Sequence, residues 1–366
     1  MSSTWGDRIR LSIFGGSHTK AIGVTIDGLP AGEKIDLEEV YLQMSRRAPG
    51  QDPAATARKE ADCPQILCGM NEDSVLTGAP LTAVIENGNQ RSKDYSELKA
   101  KPRPGHADYT AYVKYSGYND IRGGGHFSGR LTAPLVFAGA VCRQILSRLG
   151  VEIGAHAESI GSVKDEKLNP AQVTKDKLRE LSRVYFPVID TEVKTRMYEE
   201  IEKARMNRDS VGGIIECAAA GLPAGLGDPM FGGVENKISS IIFGIPAVKG
   251  VAFGDGFEAA EHLGSENNDA FSYNSTNEIV TATNHCGGIL GGITNGMPLV
   301  FHTAIKPTPS ISKEQQTVNL EEGKNTTLEI KGRHDPCILP RAVPVVESAA
   351  AIAVLDMWMI AKGDKL

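Results

Sequence analysis

Alternating polar and apolar residues predict two paired β-strands near the start of the chain. Arg8 to Phe14 alternates with a period of two, and Ala21 to Ile26 has a similar pattern. The two segments are predicted to form a hairpin around residues 15–20, which places His18 on a turn. Leu81 to Ile85 is predicted to be a further strand.

Helical periodicity is clearest in four segments. The first, Asp36 to Ser45, opens with a capping aspartate, so Arg46 and Arg47 are predicted to follow its C-terminal end. A charged amphipathic helix is predicted over 190–207. Two mainly apolar helices are predicted over 133–149, with Gly139 inside, and over 345–361, with Asp356 inside. Glycine within the apolar helix predicts close packing against a neighbour.

Strands precede helices in both halves of the chain. The strand at 81–85 comes before the helix at 133–149, and a strand-like segment at 297–305 comes before the helix at 345–361. This order is consistent with a duplicated α+β unit, although no sequence repeat of fixed period occurs. Because no low-complexity linker separates two halves, residues 1–366 are expected to form one domain.

Composition excludes several classes of protein. The 366 residues are 41% apolar, which is enough for a core and rules out disorder as the main state. A net charge of −6 argues against nucleic acid as the principal partner. No apolar run is long enough to span a membrane and the N-terminus lacks the apolar stretch of a secretory signal, so a cytoplasmic protein is expected.

The six cysteines do not form a zinc-binding pattern. Cys63 and Cys68 are the nearest pair, and neither a second pair nor flanking histidines complete a metal site. The cysteines are therefore expected to be reduced and mostly buried, and no metal centre is predicted.

Six glycine- and proline-rich loops carry histidine, arginine, lysine or aspartate. Any one of these histidines could equally have a surface or capping role, and a lone arginine is more often solvated. Six such loops together favour ligand contacts. The loops are Gly16 to His18, Arg46 to Gly50, Arg103 to Asp108, Arg122 to His126, Lys306 to Ser310, and Gly332 to Cys337.

Two glycine strips have alternative interpretations. Gly123 to Gly125 could offer backbone N–H groups to a phosphate, or could be a simple turn. It matches neither a dinucleotide fingerprint nor a Walker A loop. Gly287 to Gly292 could lie against a flat ligand or another backbone, or could serve helix packing alone.

The basic residues in and near these loops predict a small polyanionic ligand. Arginine binds carboxylate and phosphate through two parallel hydrogen bonds. His18 and His106 could act as acids near neutral pH, and Asp335 could act as a base or orient one. The candidate cations are Arg47, Arg103, Arg122, Arg130, Lys306, Arg333 and Arg341. These residues alone do not identify a reaction.

Taken in order, the motifs resemble those of the chorismate synthase family across nearly the whole chain. The matching segments are Gly-x-Ser-His, Arg-Arg-x-Pro-Gly, Arg-Pro-Gly-His-Ala-Asp-Tyr, Arg-Gly-Gly-Gly, Gly-Gly-Ile-Leu-Gly-Gly, Gly-Arg-His-Asp-Pro-Cys and Arg-Ala-Val-Pro. The resemblance implies a carbon–oxygen lyase of the shikimate pathway and of aromatic amino acid biosynthesis. Its reaction is the 1,4-anti elimination of phosphate from 5-enolpyruvylshikimate 3-phosphate, which gives chorismate.

The resemblance also implies a cofactor and an architecture. Reduced FMN is required although the reaction has no net redox change. Some members reduce the flavin with NADPH themselves, but this chain has no dinucleotide fingerprint, so an external flavin-reducing system is expected. The implied fold is α+β, with a helical layer sandwiched between two antiparallel β-sheets, and the implied assembly is a homotetramer.

Matched motif by motif, the resemblance assigns roles to individual residues. His18 would be the acid near the departing phosphate, His106 would keep reduced flavin in its required protonation state, and Asp335 would help the flavin nitrogen act as a base. The implied substrate contacts are Arg47, Arg130, Arg333 and Arg341. The implied flavin contacts are Ser128, Ala247, Gly291, Lys306, Pro307, Thr308, Pro309, Ser310 and Arg333.

The chain departs from the family pattern at several positions. Gly16 and Thr19 replace a glutamate and a glycine beside His18, and Ala48 replaces the third arginine of its motif, which could shift substrate binding to Arg46 or Arg47. After the glycine triplet, an arginine and a glutamate are lost together. These departures leave open a second hypothesis, a catalytically impaired protein of the same fold that binds flavin or anions.

Overall fold

The computed structural model describes residues 3–50, 62–88, 98–330 and 335–363. Its helices are α1 (Leu37–Arg47), α2 (Asp108–Lys114), α3 (Thr132–Arg148), α4 (Lys175–Leu181), α5 (Thr191–Met206), α6 (Val234–Ile242), α7 (Gly264–Asn267) and α8 (Leu339–Lys362). Short 3₁₀ helices span Arg122–Phe127, Gly129–Leu131, Met230–Gly232 and Gly256–Glu261.

In the part of the chain that the structure describes, the strands form two five-stranded antiparallel sheets and three short hairpins. The first sheet has the order β1-β2-β3-β5-β4 and contains β1 (Thr4–Trp5), β2 (Arg10–Gly15), β3 (Ala21–Asp27), β4 (Gln65–Cys68) and β5 (Leu81–Glu86). The second has the order β7-β6-β8-β14-β9 and contains β6 (Glu152–Ile160), β7 (Val163–Lys164), β8 (Gly213–Ala220), β9 (Val248–Phe253) and β14 (Leu299–Ile305). The hairpins are β10 (Phe271–Tyr273) with β11 (Ile279–Thr281), β12 (Ile289–Leu290) with β13 (Ile293–Thr294), and β15 (Gln315–Asn319) with β16 (Lys324–Leu328).

Helices α3 and α8 pack against each other in the core. Helix α3 also contacts β2, β3 and β5 of the first sheet and β6 of the second, while α8 contacts β6 and β8. A Cβ on Gly139 of α3 would lie 2.1 Å from the Cβ of Ser348 on α8. The close packing predicted for this glycine is confirmed, because any side chain there would push the two helices apart.

Helix α8 begins six residues before the predicted segment and continues through Asp356. The Asp356 carboxylate is buried and accepts hydrogen bonds from the backbone N–H groups of Arg8 (2.7 Å) and Ile9 (2.8 Å). The buried Asp356 carboxylate of this apolar helix therefore fixes the backbone just before β2. Among the described residues, α8 is the one helix that is long and apolar enough to cross a membrane. In this fold, 89% of its most apolar 18-residue stretch is buried, as in a core helix.

The predicted hairpin, the strand at 81–85 and the helices at 133–149 and 190–207 are all present within one or two residues. The Asp36 side chain caps α1, accepting a hydrogen bond from the N–H of Glu38 at 2.9 Å. The prediction that Arg46 and Arg47 follow this helix is wrong, because both residues form its last turn.

The cysteines are less buried than expected. Three of the six are buried, and Cys63 and Cys68 are exposed, so the expectation of mostly buried cysteines holds for only half of them.

Candidate active site

A cavity of about 620 Å³ collects residues from distant parts of the chain. The residues that the sequence predicted for the site and that line this cavity are Arg47, His106, Ser128, Arg130, Ala247, Lys306, Thr308, Pro309, Ser310, Asp335 and Arg341. His18, Pro307 and Gly291 are not among the lining residues, and Arg333 lies outside the described residues. Most of the predicted set therefore converges on one cavity.

One buried carboxylate holds two of the predicted substrate-binding arginines. Arg47 Nη1 donates to Asp62 Oδ2 (2.8 Å), and Arg130 Nη1 pairs with the other oxygen of the same carboxylate. Arg47 also donates to the Thr132 hydroxyl (3.0 Å) and the Gly129 carbonyl (2.7 Å). Because the guanidinium groups are fixed on several sides, they are pre-oriented for an anion in the cavity.

The electrostatics keep this cluster charged. Burial lowers the pKa of Arg47 to about 10, against the opposing effect of Asp62. Burial would raise the pKa of the Asp62 carboxyl, but Arg47 and Arg130 outweigh it and lower that pKa. Asp62 was not predicted from the sequence. It could have been sought because two buried arginines need an acidic counter-ion.

Asp335 and Arg341 lie together in the wall of the cavity. Arg341 Nη1 donates to Asp335 Oδ2, and Arg341 Nε donates to the Arg47 carbonyl (3.0 Å). The residue predicted as a base is therefore paired with one predicted to bind substrate. The pairing fixes both side chains and neutralises part of the cavity's positive charge.

His106 forms a hydrogen-bonded group with Asp108 and Arg103. His106 Nδ1 lies 2.7 Å from Asp108 Oδ1, and Arg103 donates to both carboxylate oxygens, at 2.7 and 2.8 Å. Burial would raise the pKa of Asp108, but the hydrogen bonds from Arg103 and His106 hold it far below its usual range. Arg103 Nη2 also lies 3.1 Å from His106 Nδ1, so both Arg103 and Asp108 contact the ring at this nitrogen and hold it in the cavity wall.

His18 lies behind the glycine triplet, almost fully buried. The Ser17 hydroxyl donates to the Arg122 carbonyl (3.1 Å) and lies 3.0 Å from His18 Nδ1. The hydroxyl therefore links the His18 ring to the Arg122 backbone and helps to hold the imidazole in place.

The glycine triplet separates the two histidines. Gly123, Gly124 and Gly125 all have positive φ, at 59°, 85° and 53°. A Cβ on Gly123 would lie 2.4 Å from the His18 ring, and one on Gly124 would lie 3.0 Å from the His106 ring. Only glycine allows the backbone to pass between the rings in this conformation. The predicted binding of phosphate by its N–H groups stays a prediction.

Two lysines add positive charge at another part of the cavity. Lys306 donates to the Gly105 carbonyl, and both Lys306 and Lys249 line the wall. Burial and the neighbouring charge of Lys249 lower the pKa of Lys306. Lys249 was not predicted, because a single lysine after an apolar Ile-Pro-Ala-Val segment has no distinguishing pattern.

Two other candidate arginines lie elsewhere. Arg46 is buried and pairs with Glu347 (2.5 Å), so the suggestion that it contributes to substrate binding is wrong. Its place in the last turn of α1 turns it towards the core helix α8, whereas the next residue, Arg47, reaches the cavity. Arg122 is half-exposed and pairs with Asp120 (2.7 Å) without lining the cavity.

The second glycine strip packs against backbone. A Cβ on Gly287, Gly288 or Gly292 would lie 2.4–2.6 Å from a main-chain atom of another segment. Of the interpretations offered by the sequence, close approach of another backbone therefore describes most of the strip. Gly291 occupies the β12–β13 turn with φ 61° and nothing within 4 Å of a Cβ. Its contact with flavin stays a prediction.

The departures near His18 have local compensation. The Thr19 hydroxyl accepts from the Gly16 N–H (2.9 Å) and lies 2.8 Å from the Gly16 carbonyl, which closes the turn. His126 Nδ1 lies 2.7 Å from the Gly15 carbonyl, and its Nε2 lies 2.7 Å from the Ser3 hydroxyl. These substitutions therefore form structural hydrogen bonds of their own.

Comparison with known proteins gives one consistent family. A family model described as chorismate synthase matches residues 9–359. The chain is 44% identical to a chorismate synthase of Dehalococcoides mccartyi over 357 residues, covering 98% of this chain and 96% of that protein. It is 46% identical to one of Thermococcus kodakarensis over 351 residues, with 96% of each covered. A crystal structure of chorismate synthase, 26% identical, superposes with a TM-score of 0.73 over 98% of this chain and 94% of that one.

Proposed function

The chain belongs to the chorismate synthase family, and on that premise we propose how its cavity carries out the reaction. It is a carbon–oxygen lyase that acts on 5-enolpyruvylshikimate 3-phosphate and forms chorismate, in the shikimate pathway of aromatic amino acid biosynthesis. The observation that carries the residue assignment is the convergence of Arg47, Arg130, Arg341, His106 and Asp335 on one cavity.

Arg47, Arg130 and Arg341 bind the anionic groups of the substrate. Asp62 and Asp335 already pair with these arginines, so the guanidinium forks do not have to be ordered when substrate arrives. A substrate with two carboxylates and a phosphate supplies the negative charge that the arginines and lysines of the wall require. Charge-assisted hydrogen bonds in such a site contribute about 1.5–3 kcal/mol each. By motif, Arg333 joins this set.

The cavity has the size and donor set for FMN. Its volume of about 620 Å³ lies within the range of roughly 300–1,000 Å³ typical of ligand sites. Gly129 faces the cavity with nothing within 4 Å of a Cβ. Ser128, Ala247, Thr308, Pro309 and their neighbour Pro307 would contact the cofactor, with Lys306, Lys249 and Ser310 suited to its phosphate. When bound and reduced, FMN supplies transient electron donation and a basic ring nitrogen.

The two histidines lie against the glycine triplet and are proposed to handle protons. His18 is the acid for the departing phosphate, and its ring lies against Gly123, which lines the cavity. His106, held by Asp108, would keep the bound cofactor in its required protonation state. Asp335, fixed by Arg341, provides a carboxylate in the cavity wall. The ring loses one proton and the departing phosphate gains one, so the products are chorismate and hydrogen phosphate.

An anaerobic assay tests this assignment. With dithionite-reduced FMN and authentic substrate, the protein is expected to release chorismate and phosphate in equal amounts. Arg47→Met and Arg341→Met should each raise KM at least tenfold, while Arg122→Met, the exposed arginine, should change it less than twofold. If Arg47→Met and Arg122→Met behaved alike, the cavity would not be the substrate site.

The substitutions beside the site do not favour the impaired alternative. His126 and Thr19 are accommodated by their own hydrogen bonds, and His18, His106 and Asp335 are retained. The relatives that are 44–46% identical are named chorismate synthases over nearly their full length.

Further features of the enzyme follow from family membership. We propose that 1–366 is one domain, with the α3–α8 layer between two sheets related by duplication; the contacts of α3 with both sheets support the layering. The enzyme is proposed to be a cytoplasmic homotetramer without nucleic-acid or membrane partners. Reduced flavin is proposed to come from an external reducing system. Reduction of FMN by NADPH with this protein alone would overturn that last proposal.

A further inference from the structure

Two histidines and an aspartate meet outside the active-site cavity. His285 Nδ1 lies 2.6 Å from Asp255 Oδ2, and His262 Nδ1 lies 3.5 Å from the same oxygen. Each of the three offers one ligand atom, and these atoms lie within 4.8 Å of one another. The imidazole rings are nearly perpendicular, at 78°, with centroids 5.8 Å apart. Of these three residues, none lines the active-site cavity.

We propose that Asp255, His262 and His285 bind one divalent zinc ion. Two imidazoles and a carboxylate form a donor set that Zn²⁺ accepts, with a fourth tetrahedral position left for water. Ligand atoms around tetrahedral zinc are separated by about 3.3 Å, given bonds of about 2.0–2.2 Å. The His262–Asp255 distance already matches, and His285 has to move less than 1 Å away from Asp255.

The backbone holds the ligands in place before a metal arrives. Asp255 N–H donates to the His285 carbonyl (2.9 Å), so these two segments are already joined. The Asp269 carboxylate accepts from the N–H groups of His285 (2.8 Å) and Cys286 (3.0 Å). His262 follows the 3₁₀ helix Gly256–Glu261 on the same loop. Such preorganisation reduces the entropic cost of binding.

The ligands are open to solvent. The side chains of Asp255, His285 and His262 are 22%, 27% and 34% exposed. A metal ion can therefore enter directly, in exchange for the hydrogen that His285 shares with Asp255. The sequence predicted no metal centre because its cysteines lack the spacing, whereas this set is spread over 31 positions and is assembled only by the fold.

A bound ion would join the two ends of the segment 255–285. This segment carries β10 and β11, and Phe271 and Tyr273 of β10 are exposed. Because the fold assembles the ligands, the ion binds the folded chain and not the unfolded one, so Zn²⁺ is expected to raise the melting temperature. The inference is independent of the proposed lyase mechanism.

Cobalt substitution tests the proposal directly. Tag-free, chelator-treated protein titrated with Co²⁺ is expected to bind one ion per chain with the visible absorption of tetrahedral cobalt, and Zn²⁺ should displace it. His262→Gln and His285→Gln should each weaken binding at least tenfold, and the neighbouring Glu261→Gln should not. His262→Gln retains the Asp255–His285 hydrogen bond, which guards against a folding artefact.

Two outcomes would overturn the zinc site. One is the absence of stoichiometric Co²⁺ binding to the wild-type chain. The other is equal affinity in the wild type, His262→Gln and His285→Gln.

Discussion

Two histidines in this protein are each paired with carboxylates, in contrasting surroundings. His106 lies in the cavity wall, and its carboxylate partner, Asp108, is shared with Arg103. His156 is fully buried in the second sheet, with Nε2 2.6 Å from Glu216 Oε2 and Nδ1 3.2 Å from Asp165 Oδ2.

The contrast shows what distinguishes a reactive histidine from a structural one. Both nitrogens of His156 face carboxylates, so its ring is held as a cation and has no route to a ligand. Burial would lower the pKa of His156, but Asp165 and Glu216 raise it to about 9. At His106, Arg103 competes for the carboxylate and one nitrogen stays available. The same residue types are therefore proposed to serve catalysis at His106 and stability at His156.

The largest effect is expected at the cavity. His106→Ala should lower kcat by about two to four decades, the usual contribution of general acid–base groups, with little change in melting temperature. Anaerobic turnover and thermal unfolding would be measured on the same samples. His302→Ala, in the second sheet, is the control and should stay within about threefold of wild type. A near-normal rate for His106→Ala across pH would remove this residue from the mechanism.

The reverse pattern is expected for His156→Gln. The substitution leaves Glu216 and Asp165 without their cation, and breaking a buried ion pair costs about 3–5 kcal/mol in the free energy of unfolding. Urea unfolding measures the loss, and anaerobic kcat should remain close to wild type when the protein is folded. Unchanged stability would mean that the buried cluster is not charged as inferred.

Asp108→Asn should produce a smaller kinetic effect than loss of His106. The imidazole keeps a hydrogen-bonding neighbour but loses the carboxylate that Arg103 and His106 share, so kcat is expected to fall about ten- to a hundredfold with little change in KM. Anaerobic turnover measures the change, and Asp108→Glu is the rescue variant. A wild-type kcat in Asp108→Asn would contradict the assignment.

The pH dependence of stability tests the same histidine without a substitution. The pKa of His156 is raised from 6.5 to about 9, so its contribution is fully present below about pH 6.5 and is lost as pH rises through 9. The free energy of unfolding of the wild type should therefore decline between about pH 7 and 9. His156→Gln should show a flatter profile over the same interval, and parallel profiles would exclude His156 as the source.

Local patterns were sufficient for much of the fold. Alternation located β2, β3 and β5, and apolar periodicity located α3 and most of α8, because those patterns reflect which face is buried. The first residues of α8 were missed because Pro340 and Pro344 interrupt the helical pattern, yet Pro340 is tolerated in the first turn. The pairing of strands across the two sheets depends on contacts distant in sequence, and no periodicity encodes it.

The motif-bearing loops predicted the arginines and histidines of the site. They did not predict which carboxylates pair with them. Asp62 and Asp108 were overlooked as partners because a carboxylate that neutralises an arginine has no local signature. The glycine strips 123–125 and 287–292 have similar composition, but one passes between two histidines and the other packs on main chain. The resemblance assigned Arg47 to the substrate and left Arg46 as an alternative, and only the fold shows that Arg46 pairs with Glu347 in the core.

A crystal structure with oxidised FMN and 5-enolpyruvylshikimate 3-phosphate would show whether substrate and cofactor share the cavity. The substrate's anionic groups are expected within hydrogen-bonding distance of Arg47, Arg130 and Arg341, with the flavin in the same cavity beside His106 and Lys306. Both ligands bound elsewhere on the chain, with this cavity empty, would contradict this assignment.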